Sequence, residues 1–182
     1  SSDLKEIMKQ ATKKVESKNK NPKQIAEHVG LGALKFFMLG TNPQKNIIYN
    51  PQESISFDGY TGTFVQYTHA RIANILNKAD KIKKLNKLDF SGEFNTEENK
   101  LAKLLLDFPK SIQDTAVSYN PSNLTQYLFE VAKTFNNFYQ HHSVLQAEND
   151  NLKNIRLHLC SQTKQVLKSG LELLGIDAPD VM

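Results

Sequence analysis

Residues 62–79 read GTFVQYTHARIANILNKA, and the spacing of their apolar side chains decides the fold of this part of the chain. At about 100° per residue, an α-helix brings six of these side chains within about 100° of one another. The six are Val65, Thr68, Ile72, Ile75, Leu76 and Ala79. A stripe of this width is typical of a helix that packs against a protein core. The pattern predicts a helix over about residues 62–85 with one buried face.

A second stripe runs beside the apolar one on the same helix. It consists of Phe64, Tyr67, Arg71, Asn74 and Lys78. Single-stranded nucleic acids stack their bases on aromatic rings or guanidinium planes, and Lys and Arg neutralise their phosphates. Packing of the two aromatic rings on a neighbouring helix explains the same pattern, and aromatic residues at helical spacing more often pack than bind. The spacing alone leaves both interpretations open.

Helical spacing continues through most of the remaining chain. We predict helices over residues 3–15 and 23–40, one that begins near Thr96 and is kinked or broken at Pro109, one around residues 124–138, and one over residues 147–174. The last two carry apolar faces made of Leu124, Leu128, Val131, Phe135 and Phe138, and of Ile155, Leu159, Thr163, Val166, Leu171 and Leu174. Residues 46–50, NIIYN, could form a short extended segment. Strands do not alternate with helices, so the sequence predicts an all-α helical bundle.

Composition and charge narrow the function classes. The chain has 182 residues, of which 39% are hydrophobic and 23% charged, as in an ordinary globular protein. The longest apolar run, residues 31–39, is too short to span a bilayer, and the N-terminal residues lack the apolar core of a secretion signal. The net charge of +4 permits an anionic partner without requiring one.

The sequence offers no catalytic or metal-binding constellation. Its glycines form neither a phosphate-binding loop nor a dinucleotide fingerprint. His141 and His142 are adjacent and point in different directions on a helix, as do His158 and Cys160, so neither pair suits a metal; the first pair is expected to face solvent. Cys160 lies in an apolar-periodic helix and is expected to be a small buried side chain in a reducing compartment. We therefore predict no catalytic residue and no metal site.

Three segments together resemble one known family. Residues 50–72, NPQESISFDGYTGTFVQYTHARI, resemble the junction between the catalytic and anticodon-binding domains of arginyl-tRNA synthetases. Residues 25–39, IAEHVGLGALKFFML, resemble the preceding helix, and residues 156–182 resemble the final helix and its methionine-terminated tail. The segments occur in the family's order and separation. The resemblance covers nearly the whole chain.

This resemblance implies a C-terminal fragment of a class I arginine–tRNA ligase. Residues 1–60 would end the catalytic domain and form its stem helices, and residues 61–182 would form the helical anticodon-binding domain named after an Asp-Ala-Leu-Arg signature. That signature is not literally present and corresponds to a place near residues 147–159, AENDNLKNIRLHL. The His-Ile-Gly-His and Lys-Met-Ser-Lys-Ser motifs are also absent. The fragment alone is therefore expected to be inactive and to hold no cofactor, whereas the parent enzyme would use ATP with magnesium.

Carried over position by position, the resemblance also implies an RNA-binding site. Its residues would be Phe64, Tyr67 and Arg71 on the first helix of the domain, Tyr139 on the penultimate helix, and Met182 at the end of the chain. We hypothesise that Tyr67 or Tyr139 stacks on anticodon-loop bases, that Arg71 contacts a phosphate or a base edge, and that Met182 covers the bases.

The resemblance implies other roles for four further residues of the same motifs. Gln66 and His69 would support the site without touching bases. Thr63 and Val181 stand where the family often has proline and arginine, and these two departures concern the loop entry and the tail.

The expected partners follow from the same resemblance. They are arginine tRNA, whose anticodons all have cytosine in the middle, and the N-terminal catalytic domain of the same chain. The protein would be cytoplasmic, monomeric and without a membrane partner. The alternative function is a helical protein–protein interaction module that binds through the same aromatic face. A self-sufficient enzyme, the third possibility, lacks any sequence support.

Overall fold

The computed structural model describes residues 22–44, 56–80 and 94–182. Six α-helices lie in these ranges, numbered here in chain order. They are α1 Pro22–Leu39, α2 Gly62–Asp80, α3 Thr96–Leu106, α4 Phe108–Ser118, α5 Ser122–His141 and α6 Asp150–Leu173. These residues contain no strand, and the predicted all-α class is confirmed. The helix expected over residues 3–15 and the extended segment expected at residues 46–50 fall outside the described residues.

Helix α2 lies at the centre and packs against α1, α5 and α6. Its predicted apolar stripe is buried, except that Leu76 is only partly so. The faces predicted for α5 and α6 are buried as well, apart from Leu174, which lies just after the end of α6 and is partly exposed. Phe36 of α1 is fully buried in the same core. The apolar period of each helix therefore gave the correct inner face.

The segment between Thr96 and Ser118 forms two helices. Thr96 is the first helical residue, but the capping side chain is Asn95: its Oδ1 accepts the Glu98 N–H at 2.8 Å, and the Glu98 carboxylate accepts the Asn95 N–H at 3.1 Å. This reciprocal pair satisfies backbone donors that a helix start leaves open. The break predicted at Pro109 is confirmed, with Asp107 as the joint. Helix α4 has no fully buried residue and lies on the outside of α5.

Helix α6 carries a buried arginine next to its apolar face. The Arg156 Nε donates to the Glu98 carboxylate at 2.7 Å, and its Nη1 donates to the Ser143 carbonyl at 2.8 Å. Glu98 is 1% exposed and Arg156 is 8% exposed. This ion pair ties α6 to the start of α3 and to the loop after α5. Arg156 falls within residues 147–159, the place expected to correspond to the family signature.

The histidine pair after α5 differs from its expected solvent-facing arrangement. His141 is exposed, but the side chain of His142 is 22% exposed and its ring stacks on Phe138 at 5.8 Å between centroids. The His142 Nε2 also lies 3.2 Å from the Glu97 carboxylate. The expectation of a solvent-facing pair is therefore wrong for His142, because the helix ends at His141 and the next ring folds back on the core.

A close crossing of α1 and α2 has consequences for the site. A Cβ on Gly32 would lie 2.5 Å from the Gln66 amide nitrogen, and one on Gly62 would lie 2.9 Å from the Gly32 carbonyl oxygen. Side chains at these positions would push the two helices apart. The glycines thereby admit the Gln66 side chain between α1 and α2. None of the helices in the described ranges is long and apolar enough to cross a membrane.

Candidate nucleic-acid interface

The chain after α6, residues 175–182, is called the tail here, and it folds back onto α1 and α2. Gly175 has a φ of 67°, a left-handed conformation that glycine adopts without strain and that turns the chain at the end of the helix. Ile176 is buried in the core, and the Lys35 ammonium of α1 donates to the Gly175 carbonyl. The tail is therefore packed against the bundle rather than extended into solvent.

Two buried polar side chains of α2 bind the tail backbone. The Gln66 Nε2 donates to the Asp177 carbonyl at 2.7 Å and to the His28 carbonyl at 3.3 Å. The His69 Nδ1 lies 3.0 Å from the Pro179 carbonyl, which fixes the neutral ring with its proton on Nδ1. Burial lowers the pKa of His69. Both residues support the tail and are inaccessible to a ligand, since each is 0% exposed.

Side chains of α1 and α6 hold the two tail carboxylates at the outer edges of the tail. The His28 Nδ1 of α1 lies 2.9 Å from the Asp177 carboxylate, and the Lys164 ammonium of α6 lies 2.8 Å from the Asp180 carboxylate. The hydrogen bond from Lys164 is the main reason why the pKa of Asp180 is lowered. Three helices thus contact a segment of eight residues, and its last side chains have a fixed place on the surface.

A groove of about 390 Å³ opens between α2 and the end of the tail. We call it the tail groove, and its lining residues are Tyr67, Ala70, Arg71, Asn74, Asn77, Asp180, Val181 and Met182. Met182 also packs against the small apolar cluster of Ala26, Val29 and Ala33 on α1. Three of the residues expected in an RNA site, Tyr67, Arg71 and Met182, are therefore brought together.

Arg71 and Tyr67 form a stacked pair inside the tail groove. The guanidinium carbon lies 4.8 Å from the centroid of the Tyr67 ring, and Tyr67 is 37% exposed. The Phe57 ring meets Tyr67 edge to face at 5.5 Å between centroids. Since Arg71 covers one face of the tyrosine, a base can stack on the outer side of the guanidinium plane or on the ring surface that stays open.

The two other expected site residues lie outside the groove lining. Tyr139 is 39% exposed and stacks on the buried Phe135 at 6.1 Å, nearly parallel. It is on α5, one turn beyond Asn136, whose side chain contacts Arg71. Phe64 is half-buried against Phe129, with 5.4 Å between the ring centroids. Tyr139 thus lies one turn from a residue that contacts Arg71, whereas the contacts of Phe64 are those of a packing residue.

The side chains that line the tail groove are suited to binding a ligand. It offers a guanidinium, a partly open phenol ring, two asparagine amides, a carboxylate and three apolar side chains. Within the described ranges, no group of three or more His, Cys, Asp or Glu side chains could hold a metal ion. A larger cavity of about 480 Å³ lies between the end of α1 and residues 56–61, but its described lining has Asp58 and no Lys or Arg. The tail groove is therefore the better site for an anionic ligand with flat bases.

Sequence reasoning missed several residues of the site. Asn77 and Asp180 line the tail groove, and Asn136 contacts Arg71 without being part of that lining. The contacts of Asp180 and Asn136 join different segments of the chain, which no local pattern reveals. A polar residue at the margin of an apolar face is the only local signal for Asn136, which follows the buried Phe135 directly. Asn74, which had been placed in the second stripe, does line the groove, whereas Lys78 of the same stripe is exposed outside that lining.

The fold and the groove define a class of small helical bundle whose C-terminal tail completes a surface on a central helix. Residues 65–182 match the family model described as the DALR anticodon binding domain. The chain belongs to this family, and the resemblance inferred from its sequence motifs is confirmed.

Relatives and solved structures agree with this assignment. The arginine–tRNA ligase of Parabacteroides distasonis is 37% identical over 183 residues, covering 100% of this chain and 31% of the relative. That of Clostridium botulinum is 37% identical over 98% of this chain and 32% of the relative. The structure of Thermus thermophilus arginyl-tRNA synthetase matches with a TM-score of 0.91 at 37% identity, covering 100% of this chain and 32% of the other. The chain thus spans about a third of the length of the relatives it matches.

A more distant structure shares the fold. Plasmodium falciparum arginyl-tRNA synthetase matches with a TM-score of 0.82 at 23% identity, covering 100% of this chain and 32% of the other. At this identity, the likeness bears on the arrangement of the helices alone.

Proposed function

We propose that this chain binds the anticodon loop of arginine tRNA as part of an arginine–tRNA ligase. The observation that carries the proposal is the meeting of Tyr67, Arg71 and Met182 in the tail groove. Family membership supports it, and nothing in the comparisons supports the alternative of a protein–protein interaction module. The ligase would attach arginine to tRNA with ATP and magnesium, using a catalytic domain that precedes these residues in the same chain, in the cytoplasm.

The proposed organisation keeps the division made from the sequence. Residues 61–182 would form the anticodon-binding unit, and α1, within residues 1–60, would be its stem. Contacts from α1 to the tail support a stem that also braces the groove: His28 pairs with Asp177, and Met182 packs on the α1 cluster. A change in the stem would then reach the groove directly.

The proposed roles follow from exposure and charge. Tyr67 and Arg71 would form one stacking platform, with Arg71 also neutralising a phosphate, and Met182 would cover a base with apolar surface. Tyr139 would stack on a neighbouring base from the α5 side. Phe64 stays a prediction of the motif and would act through Phe129 rather than by open contact, given its packing.

The test is a titration of the 182-residue chain with a fluorescent anticodon stem-loop of arginine tRNA. Tyr67→Ala should weaken binding by about 1–3 kcal/mol, the usual contribution of one stacking ring. Tyr119→Ala is the matched control, because Tyr119 is 89% exposed and lies outside the groove. Equal affinities for the unmodified chain and Tyr67→Ala would contradict the assignment. A stem-loop with guanine in place of the middle cytosine should bind more weakly, and indifference to this change would indicate binding by charge alone.

A further inference from the structure

Arg71 is held by a neutral side chain from another helix. Its Nη1 donates to the Asn136 Oδ1 at 2.6 Å, and Asn136 belongs to α5 while Arg71 belongs to α2. The same guanidinium lies over the Tyr67 ring. These two contacts fix both the position and the plane of the cation at the wall of the tail groove.

The orientation of the Asn136 amide is set by its other partners. Its Nδ2 donates to the Ala132 carbonyl at 3.0 Å and to the Thr68 Oγ1 at 2.9 Å. The Thr68 hydroxyl uses its own proton on the Phe64 carbonyl at 2.9 Å, so its oxygen must accept from Asn136. Both amide protons are therefore committed. A flipped amide would turn its oxygen against the Ala132 carbonyl, and Oδ1 consequently has to face Arg71.

The neutrality of this partner decides what Arg71 can still do. An amide oxygen takes one of the five N–H donors of the guanidinium and leaves its full positive charge. A carboxylate in the same place would form an ion pair and cancel that charge. Asn136 thus orients the cation without neutralising it, which suits an arginine that has an anionic ligand to bind.

We propose that Asn136 is a positioning residue for RNA binding, acting through Arg71 and not by touching the RNA itself. The inference rests on the proposed function, since it assumes that Arg71 contacts the anticodon loop. Asn136 keeps the guanidinium stacked on Tyr67 and directed into the tail groove. Without it, Arg71 retains its charge but samples several orientations before it can bind.

A double-mutant cycle separates positioning from general support of the fold. Asn136→Ala should weaken binding of the arginine anticodon stem-loop about tenfold, as expected when one charge-assisted hydrogen bond is no longer pre-oriented. In the Arg71→Ala background, the same change should have less than about a twofold effect. Asn137→Ala is the matched control: this neighbouring amide of α5 is exposed and should leave the affinity unchanged in both backgrounds. Equal losses from Asn136→Ala with and without Arg71 would overturn the inference.

A second variant uses salt dependence, which a purely structural role would not move. Asn136→Asp should neutralise Arg71 and reduce the slope of log affinity against log salt by about 0.7, the value for one phosphate contact on a single strand. Asn137→Asp adds the same charge one residue away and should change the slope much less. Identical slopes for the two aspartate variants would also overturn the inference. Absence of any binding by the unmodified chain would instead overturn the proposed function, and with it this inference.

Discussion

Two arginines of this bundle are bound in opposite ways. Arg156 is 8% exposed, and its guanidinium meets the Glu98 carboxylate and the Ser143 carbonyl. Arg71 lines an open groove and meets the amide oxygen of Asn136 and the ring of Tyr67. Both are well oriented, but only the partner of Arg156 carries a compensating charge.

The difference separates a structural arginine from one placed for a ligand. A buried cation needs an anion, because desolvation without one is very unfavourable. A cation at the wall of a groove stays partly hydrated and needs no anionic partner from the protein. It can then bind a phosphate, provided that no carboxylate has neutralised it. The bundle therefore predicts that the Arg156 pair controls stability and the Arg71 pair controls RNA affinity.

Removal of the Glu98 carboxylate should have the largest effect, and it tests whether the Arg156 pair controls stability. Glu98→Ala should lower the free energy of unfolding by about 3–5 kcal/mol, because it leaves the Arg156 charge buried without its partner. Urea denaturation followed by circular dichroism measures the change. The free energy of unfolding of Glu98→Gln should lie between those of the unmodified chain and of Glu98→Ala, since glutamine can still close the capping box at Asn95.

Glu97→Ala is the control for that experiment. Glu97 occupies the same turn, but its side chain is 29% exposed and its contact is with His142. A much smaller loss of stability is expected. If the two alanine variants were equally unstable, the buried ion pair would not be what distinguishes the Arg156 site.

The fold could be predicted largely from local periodicity. In α2, α5 and α6, an apolar face repeats at the helical spacing, and burial of that face follows whatever the neighbours are. The start of α3 near Thr96 was predicted correctly, and its Asn95–Glu98 capping box is a local pattern. The inward packing of His142 was not predicted, because its contact with Glu97 joins residues 45 positions apart.

The candidate site could be predicted only in part, and through family resemblance rather than periodicity. Tyr67, Arg71 and Met182 came from the motifs, and the structure places them in one groove. The motif also named Gln66 as a supporting residue, but its partner Asp177 and the partner of Arg71, Asn136, were missed. Gln66 meets Asp177 across 111 positions of sequence and Arg71 meets Asn136 across 65, and no local pattern encodes such distant pairs.

The second prediction concerns the pH dependence of stability, which involves the contacts that hold the tail beside the tail groove. Burial lowers the pKa of His69 below its ordinary value of 6.5, although the Pro179 carbonyl and Asp180 act in the opposite direction, and Lys164 and Lys168 add to the lowering. The unfolded chain therefore binds a proton more readily than the folded one. Stability contributed by neutral His69 is fully present above pH 6.5 and is lost as the pH falls toward the lowered pKa.

Comparison with a variant isolates this contribution from the other histidines. His69→Gln should be less stable than the unmodified chain at pH 7.5, and the difference should shrink toward pH 5.5. Urea midpoints across that range provide the measurement. A constant difference at all pH values would mean that protonation of His69 does not loosen the tail. Because the tail carries Met182, RNA affinity should fall together with stability in the unmodified chain.

The smallest expected effect concerns Cys160, whose reactivity reports on the stability of the core around the Arg156 ion pair. Cys160 lies one turn after Arg156 on α6, is 0% exposed, and has a pKa raised to about 12 by burial. A thiol reagent should therefore react with it only when the core opens. Arg71→Ala should leave the labelling rate within about threefold of the unmodified chain, as for a substitution worth about 0.5 kcal/mol of stability. Glu98→Ala should accelerate labelling strongly, and a similar acceleration by Arg71→Ala would show that the groove arginine supports the core after all.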